Sequence, residues 1–314
     1  MRQERARASP YGEGVDVQPG TLAESAVAVV RAAAALVAGT ERAALADEPD
    51  GVHQHRVAVR RLRSVLAGFD GAIDPSRGRS VRVEHGRWGA QLGVVRDLEV
   101  LADASAVRLD ALDDADQRMR ARLVDAPRAA GALGQARLVA IAASPAGAAR
   151  RERLHRLAED PGPRAGERAA AQALTEILRH EARRVRRAWR RVLRDQERHA
   201  DGPRVHELRK AGRRLRYVAE AIGAAAPDLA GPEVAALAEA GDLIHSTLGD
   251  RRDAAVLIRH VRREQVRARR AGEATGGYER MLAELTAPAD ADADALDAVA
   301  AAIGGIRDAA RALP

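Results

Sequence analysis

The 314-residue chain has no cysteine, which removes disulfides, thiolate metal sites and cysteine nucleophiles. Aromatics are scarce: one Phe, two Trp and three Tyr. Any core must therefore be built from Ala, Leu and Val, which suits closely packed helices. The same scarcity leaves few platforms on which nucleobases could stack. Alternating runs of β-branched residues are few, so no substantial sheet is expected. The most apolar run, Ala26 to Ala38, is short and broken by Arg31, and no membrane span is expected of it. The N-terminal MRQERARASP is basic but lacks the apolar core and cleavage site of a secretion signal. A soluble cytoplasmic protein is expected. Neither H-x-x-x-H nor H-E-x-x-H spacing occurs, nor a phosphate-cradling glycine loop, a carboxylate cluster or a nucleophile triad. No metal, no cofactor and no catalytic activity are expected on these grounds.

Lysine is nearly absent as well. Lys210 is the single one among 52 basic residues, against 45 acidic ones, and the net charge is +7. Arginine carries a planar five-donor fork that matches phosphate oxygens two at a time. A GC-rich coding sequence would raise Arg and Ala together, so the count alone says little. Placement has to carry the functional argument.

Placement is informative because one stretch occurs twice. Residues 52–69 read VHQHRVAVRRLRSVLAGF, and residues 205–222 read VHELRKAGRRLRYVAEAI, 153 positions later. Nine of eighteen positions are identical, including His, Leu and Val positions that shared Ala/Arg richness would not match, so this is an internal repeat. Wound as a helix, the first copy gathers His53, Arg56, Arg60 and Arg63 within roughly 80° of arc, with Arg61 at the flank. Val52, Ala58, Val59, Leu62, Val65, Leu66 and Phe69 form the opposite, apolar side. In the second copy the basic stripe is His206, Arg209, Lys210, Arg213 and Arg216, flanked by Arg214. Its apolar side is Val205, Leu208, Ala211, Leu215, Val218 and Ile222. Each helix is expected to bury one side and present cations on the other.

A second block repeats in the same order: LGVVRDLEVL at 92–101 and LGDRRDAAVL at 248–257, 156 positions apart. The chain reads as two homologous halves, at about 21–160 and 167–312, behind a Pro/Gly-containing leader at 1–20. Helices are expected over about 21–46, entered through a Thr21/Glu24 capping box, then from Val52, 79–106, 128–143, 146–159 and 167–198. Others run from about 203, from Pro232 to about 272, and over 277–312, where an acidic stretch (Asp290, Asp292, Asp294, Asp297) suggests a loop. Residues 103–118 are also acidic and read as an outward surface, and Pro161 to Gly166 as the junction between halves. On the 167–198 helix, Arg183, Arg187 and Arg190 line one side together with Arg179, Arg186 and Arg194.

The doubled V-H-x-x-R-x-A-x-R-R-L-R, each followed by L-G-x-x-R-D-x-x-V-L, resembles the CHAD (conserved histidine α-helical domain) family over about residues 21–310. The resemblance implies an all-α fold of two pseudo-symmetric four-helix bundles, arising from an internal duplication and packed around a basic channel. It also implies binding of inorganic polyphosphate, with the signature cations at His53, Arg56, Arg60 and Arg63 and at His206, Arg209, Arg213 and Arg216. His55 stands where Met or Leu is commoner, Glu99 where Asp is usual, and His245 and Arg252 where amides are. The E-x-E-x-K motif of the triphosphatase domain sometimes fused to this family does not occur.

The bland alternative for the basic stripes is a solvated surface, but such faces mix acids among their cations at i±4. Between Val52 and Phe69 there is no acid, and Glu207 sits at the edge of the second stripe. An external anion is the natural counter-charge. For the 179–194 row a solvated face and a binding face weigh about equally. His53 and His206, at helix N-termini in line with arginines, read as phosphate donors rather than metal ligands. Asp97 and Asp253 read as orienting partners of the signature arginines. Polyphosphate has no bases to stack and is the leading ligand; nucleic acid is the runner-up. Localisation at polyphosphate granules and regulation of a partner acting on polyphosphate stay open as cellular roles.

Overall fold

The computed structural model describes residues 21–112, 116–162, 170–196, 202–286 and 291–314. Among these residues every regular element is helical. The first half comprises α1 (Leu22–Leu45), α2 (Gly51–Gly68), α3 (Pro75–Leu109), α4 (Gln117–Arg120), a π-helical segment (Ala121–Asp125), α5 (Ala126–Ala143) and α6 (Pro145–Glu159). The second comprises α7 (Ala170–Arg194), α8 (Pro203–Ala225), a 3₁₀ turn (Pro227–Leu229), α9 (Pro232–Arg270), α10 (Gly276–Thr286) and α11 (Ala291–Ala312).

Local chemistry sets the helix starts. The Thr21 hydroxyl accepts from the Glu24 N–H while the Glu24 carboxylate accepts from the Thr21 N–H, a complete capping box. At α3 the Asp74 carboxylate accepts from the backbone N–H groups of Ser76 and Arg77 at 2.8 and 3.0 Å. Pro75 then occupies the first helical position, where its missing N–H costs nothing. The helix therefore begins at Pro75, not near Arg79, with Asp74 as its cap and Pro75 as its first residue. Within the acidic 103–118 stretch, α3 runs only to Leu109, and Asp113 and Asp114 lie outside the described residues, as do 163–169 at the junction. Toward the C-terminus, α10 and α11 flank residues 287–290, which also lie outside the described residues, and Asp292, Asp294 and Asp297 fall within α11.

Packing follows the apolar faces. α2 lies against α1 and α3, α8 lies against α7 and α9, and α2 and α8 pack directly on each other. One contiguous core runs across both halves, through Val29, Val30, Leu62, Leu66, Phe69 and Leu92 to Leu178, Leu215, Val218, Ile244 and Leu248. α1 is long and apolar enough to cross a bilayer by composition, but here Ala26, Val29, Val30, Ala33 and Val37 are buried in that core. α3 and α9 have 35 and 39 residues, so each extends more than about 50 Å at 1.5 Å per residue. Their far ends outrun the main core and build a second one, where Leu109, Leu123 and Val124 meet Val261, Tyr278 and Met281.

Candidate functional site

Every residue assigned to the apolar sides of the two repeated helices is buried, and this rotation brings both basic stripes to the α2/α8 seam. His53, Arg56, Arg60, Arg63, Arg209, Arg213 and Arg216 are half-buried there, while His206 and Lys210 are exposed. The L-G-x-x-R-D blocks on α3 and α9 supply the walls. A Cβ on Gly93 would stand 3.2 Å from Nη2 of Arg56, and one on Gly249 would stand 3.1 Å from Nη2 of Arg209. Each glycine is a berth for the signature guanidinium of its own half, while the preceding Leu92 and Leu248 fill the core. Asp97 accepts from Arg56 at 3.5 Å and lies 4.0 Å from Arg252, whereas Asp253 lies 3.6 Å from Arg252. Arg209 instead donates through Nε to the His245 carbonyl at 3.4 Å.

At the centre stand Arg60 and Arg213. Neither side chain forms an ion pair or hydrogen bond with a described residue, and the Nε atoms of Arg60, Arg63 and Arg213 are buried without partners. Burial and then Arg60, with Arg209 and Arg63 adding, push the Arg213 guanidinium down to about 10. Arg60, Arg56 and Arg209 are likewise lowered, each by burial first and each by at least one arginine of the group. Burial together with Arg209, Arg213, Arg60 and Arg216 drives the His245 imidazole down to about 2, so it stays neutral. These mutual effects cross the repeat boundary: the cations of both copies share one electrostatic neighbourhood. His53 is lowered by burial and then by Arg96, and His206 by burial and then by Lys210 and Arg209.

Not every predicted cation is available. Arg61 pairs with Glu220 and lies over the Tyr217 ring, so its guanidinium is taken up between α2 and α8. Arg214 donates to Glu181 and to the Ala67 carbonyl, both at 2.6 Å. These two uses are related by the duplication, because Glu220 and Ala67 occupy equivalent positions 153 apart. Arg216 is held by Glu220 and Asp242, unlike its counterpart Arg63. Arg183, Arg187 and Arg190 are exposed on the side of α7 away from its buried Leu178, Val185 and Val192, and form no ion pair with a described residue. His55, where the pattern has an apolar residue, is fully buried. The Trp88 indole N–H donates to its Nε2 at 2.7 Å, so its Nδ1 carries the proton, 2.9 Å from Thr40 Oγ1. Burial holds this imidazole down to about 3, a packing role.

Among residues the sequence reading did not single out for binding, Arg82, Arg96, Arg252 and His245 belong to the same neighbourhood. Among the described residues no group of three or more His, Asp or Glu is arranged to hold a metal.

The fold and site define an all-helical protein whose repeated helices gather arginines at one seam, some of them in no ion pair with a described residue. The family model for the CHAD domain matches residues 28–262, and the chain belongs to that family. Two uncharacterized proteins from Mycobacterium tuberculosis strains, MT2285 and Rv2226, are each 32% identical to it over 248 residues. That alignment covers 76% of this chain but 45% of theirs, so the chain spans about half the length of these relatives. Among solved structures, the CHAD domain from the plant Ricinus communis matches with a TM-score of 0.62 at 23% identity, covering 96% of both chains. PptA from Streptomyces chartreusis matches at 0.60 and 20% identity, over 93% of this chain and 99% of its own. Both likenesses concern the fold.

Proposed function

We propose that this protein binds inorganic polyphosphate along the α2/α8 seam, and that its role is binding rather than catalysis. The observation that carries the reading is the Arg60/Arg213 centre, where half-buried guanidinium groups form no ion pair with a described residue and only Asp97 and Asp253 act on Arg60 from a distance. Burying like charges together is unfavourable unless something offsets it, and an external polyanion does so with charge-assisted, two-point contacts. The CHAD family is associated with polyphosphate binding generally. In this reading residues 21–160 and 167–312 form two pseudo-symmetric bundles, and the seam between them is the basic channel. The contact set is His53, Arg56, Arg60, Arg63, His206, Arg209, Lys210 and Arg213. Asp97 and Asp253 orient the arginines of that set. Arg61, Arg214 and Arg216 are left out because protein carboxylates or carbonyls occupy them. Recruitment to polyphosphate granules is the cellular role that such binding would serve.

Nucleic acid is the second reading, since phosphates alone would be recognised similarly. Against it stands the scarcity of stacking platforms: Tyr217, the aromatic beside Arg61 and Arg216 at the seam, is buried. The test is an equilibrium titration of labelled long-chain polyphosphate with the full chain and with the Arg60→Ala/Arg213→Ala variant. A loss of at least about tenfold, with a lower dependence of log K on log salt, is expected. Unchanged affinity in the variant would remove the seam from the function.

A further inference from the structure

We propose that the binding surface does not end at the seam but continues over the outer face of α7, so that long polyphosphate chains engage a second arginine row that short ones do not reach. This rests on the polyphosphate reading above and assigns it an extended site. Arg214 supplies the geometry. Its Nη2 donates at 2.6 Å both to the Ala67 carbonyl, at the end of α2, and to Glu181, in the middle of α7. One guanidinium thus staples these two helices together. Arg63, a member of the central group, lies four residues before Ala67, and Arg184 lies three residues after Glu181. At i,i+3 and i,i+4 spacing, side chains of one helix are neighbours, about 5–6 Å apart between Cβ atoms. Arg63 therefore lies one helical turn before the α2 end of the staple, and Arg184 lies one turn beyond its α7 end, close enough to act on Arg214.

The charges between them are continuous. Arg82 on α3 lowers Arg63, after burial, and it lowers Arg214 together with Arg184. From Arg184 the row runs outward to Arg187 and then Arg183, all three exposed and none in an ion pair with a described residue. From residue 182 to residue 194 α7 contains no acid at all. A solvated face would interleave acids at i±4, and this one does not. Only toward the end of the helix do Arg191 and Arg194 acquire partners, Glu207 and Asp195. The track is Arg60/Arg213, Arg63, Arg82, Arg184, Arg187.

The consequence is a length preference. Tripolyphosphate is satisfied within the seam, whereas a long chain leaving it past Arg63 meets Arg184 and Arg187. The test is the Arg184→Ala/Arg187→Ala variant, exposed positions whose loss leaves the core intact, titrated with tripolyphosphate and with long-chain polyphosphate over a series of salt concentrations. Tripolyphosphate affinity should match the unmodified protein. Long-chain affinity should fall severalfold, and the slope of log K against log salt should shrink by about 1.4, at about 0.7 per phosphate contact of a single strand. An unchanged long-chain slope, or an equal loss for both ligands, would overturn the extension while leaving the seam in place. If the unmodified protein binds neither ligand, or if Arg60→Ala/Arg213→Ala leaves both affinities unchanged, the underlying reading itself fails.

Discussion

Replacing Arg60 and Arg213 together by methionine should make the free protein more stable and the liganded protein less so. Methionine keeps the apolar stem that arginine lays along the seam but removes the charge. The magnitude follows from Arg213, held near 10 in place of its ordinary 12.5. At about 1.4 kcal/mol per pKa unit, that depression amounts to a folding cost on the order of 3 kcal/mol at neutral pH. The sign is that of a base with a lowered folded pKa: the cost is fully present below pH 10 and disappears as pH rises toward 12.5. Solvent reaching the half-buried group relieves part of it, leaving a gain on the order of 1–3 kcal/mol for the variant. Urea unfolding followed by far-UV circular dichroism measures it, with and without long-chain polyphosphate. The unmodified protein should gain about 2.7 kcal/mol at a ligand concentration one hundred times Kd, and the variant should lose most of that increment. A variant that is less stable without ligand, or that keeps the full increment with it, would refute the argument and make these arginines structural.

Three further outcomes follow from the same geometry. Gly93→Ala with Gly249→Ala puts a methyl group against each berthed guanidinium; helix propensity should hold or raise stability, by up to about 1 kcal/mol per site, while polyphosphate affinity falls severalfold in titration. Affinity equal to the unmodified protein would show that the berths do not matter. Arg214→Met should behave oppositely to Arg213→Met, because it leaves Glu181, 1% exposed, without its cation, and a urea midpoint should register a loss of about 3–5 kcal/mol. A neutral result would deny the staple. For the histidines, burial and neighbouring cations lower both His53 and His206 in the free protein, so they are largely neutral at pH 7. A bound polyanion favours imidazolium, so affinity in matched salt should rise as pH falls from about 7.5 to about 5.5, below the ordinary histidine value of about 6.5. A flat profile would remove the histidines from the contact set.

The repeat made the central pair readable before any coordinates, since its 3.6-residue periodicity separates Arg60 and Arg213 from Leu62 and Leu215, and the structure buries the leucines. Periodicity gives a face but not the identity of what faces it. Arg61 and Arg214 sit at the stripe's flank in either copy, and only tertiary packing brings them Glu220 and Glu181, 159 and 33 residues away. The glycine of each L-G-x-x-R-D announces a need for space, but that the space holds a guanidinium depends on how α2 lies on α3 and α8 on α9. Asp74-Pro75 reads equally as a break or as a cap and first residue, and hydrogen bonding at Asp74 decides for the latter. The α7 row posed the same difficulty. Its outward face was legible from spacing, but its link to the seam runs through Arg214, a contact between segments far apart in the chain.

The most direct measurement of the central claim is competition on the full chain, with long-chain polyphosphate and single-stranded DNA titrated against each other at matched phosphate concentration in about 0.15 M salt, where screening confines the contest to close contacts. At equal phosphate concentration polyphosphate should displace most of the DNA, and Arg60→Ala/Arg213→Ala should abolish that preference. Displacement in the other direction, with DNA expelling polyphosphate, would contradict the account.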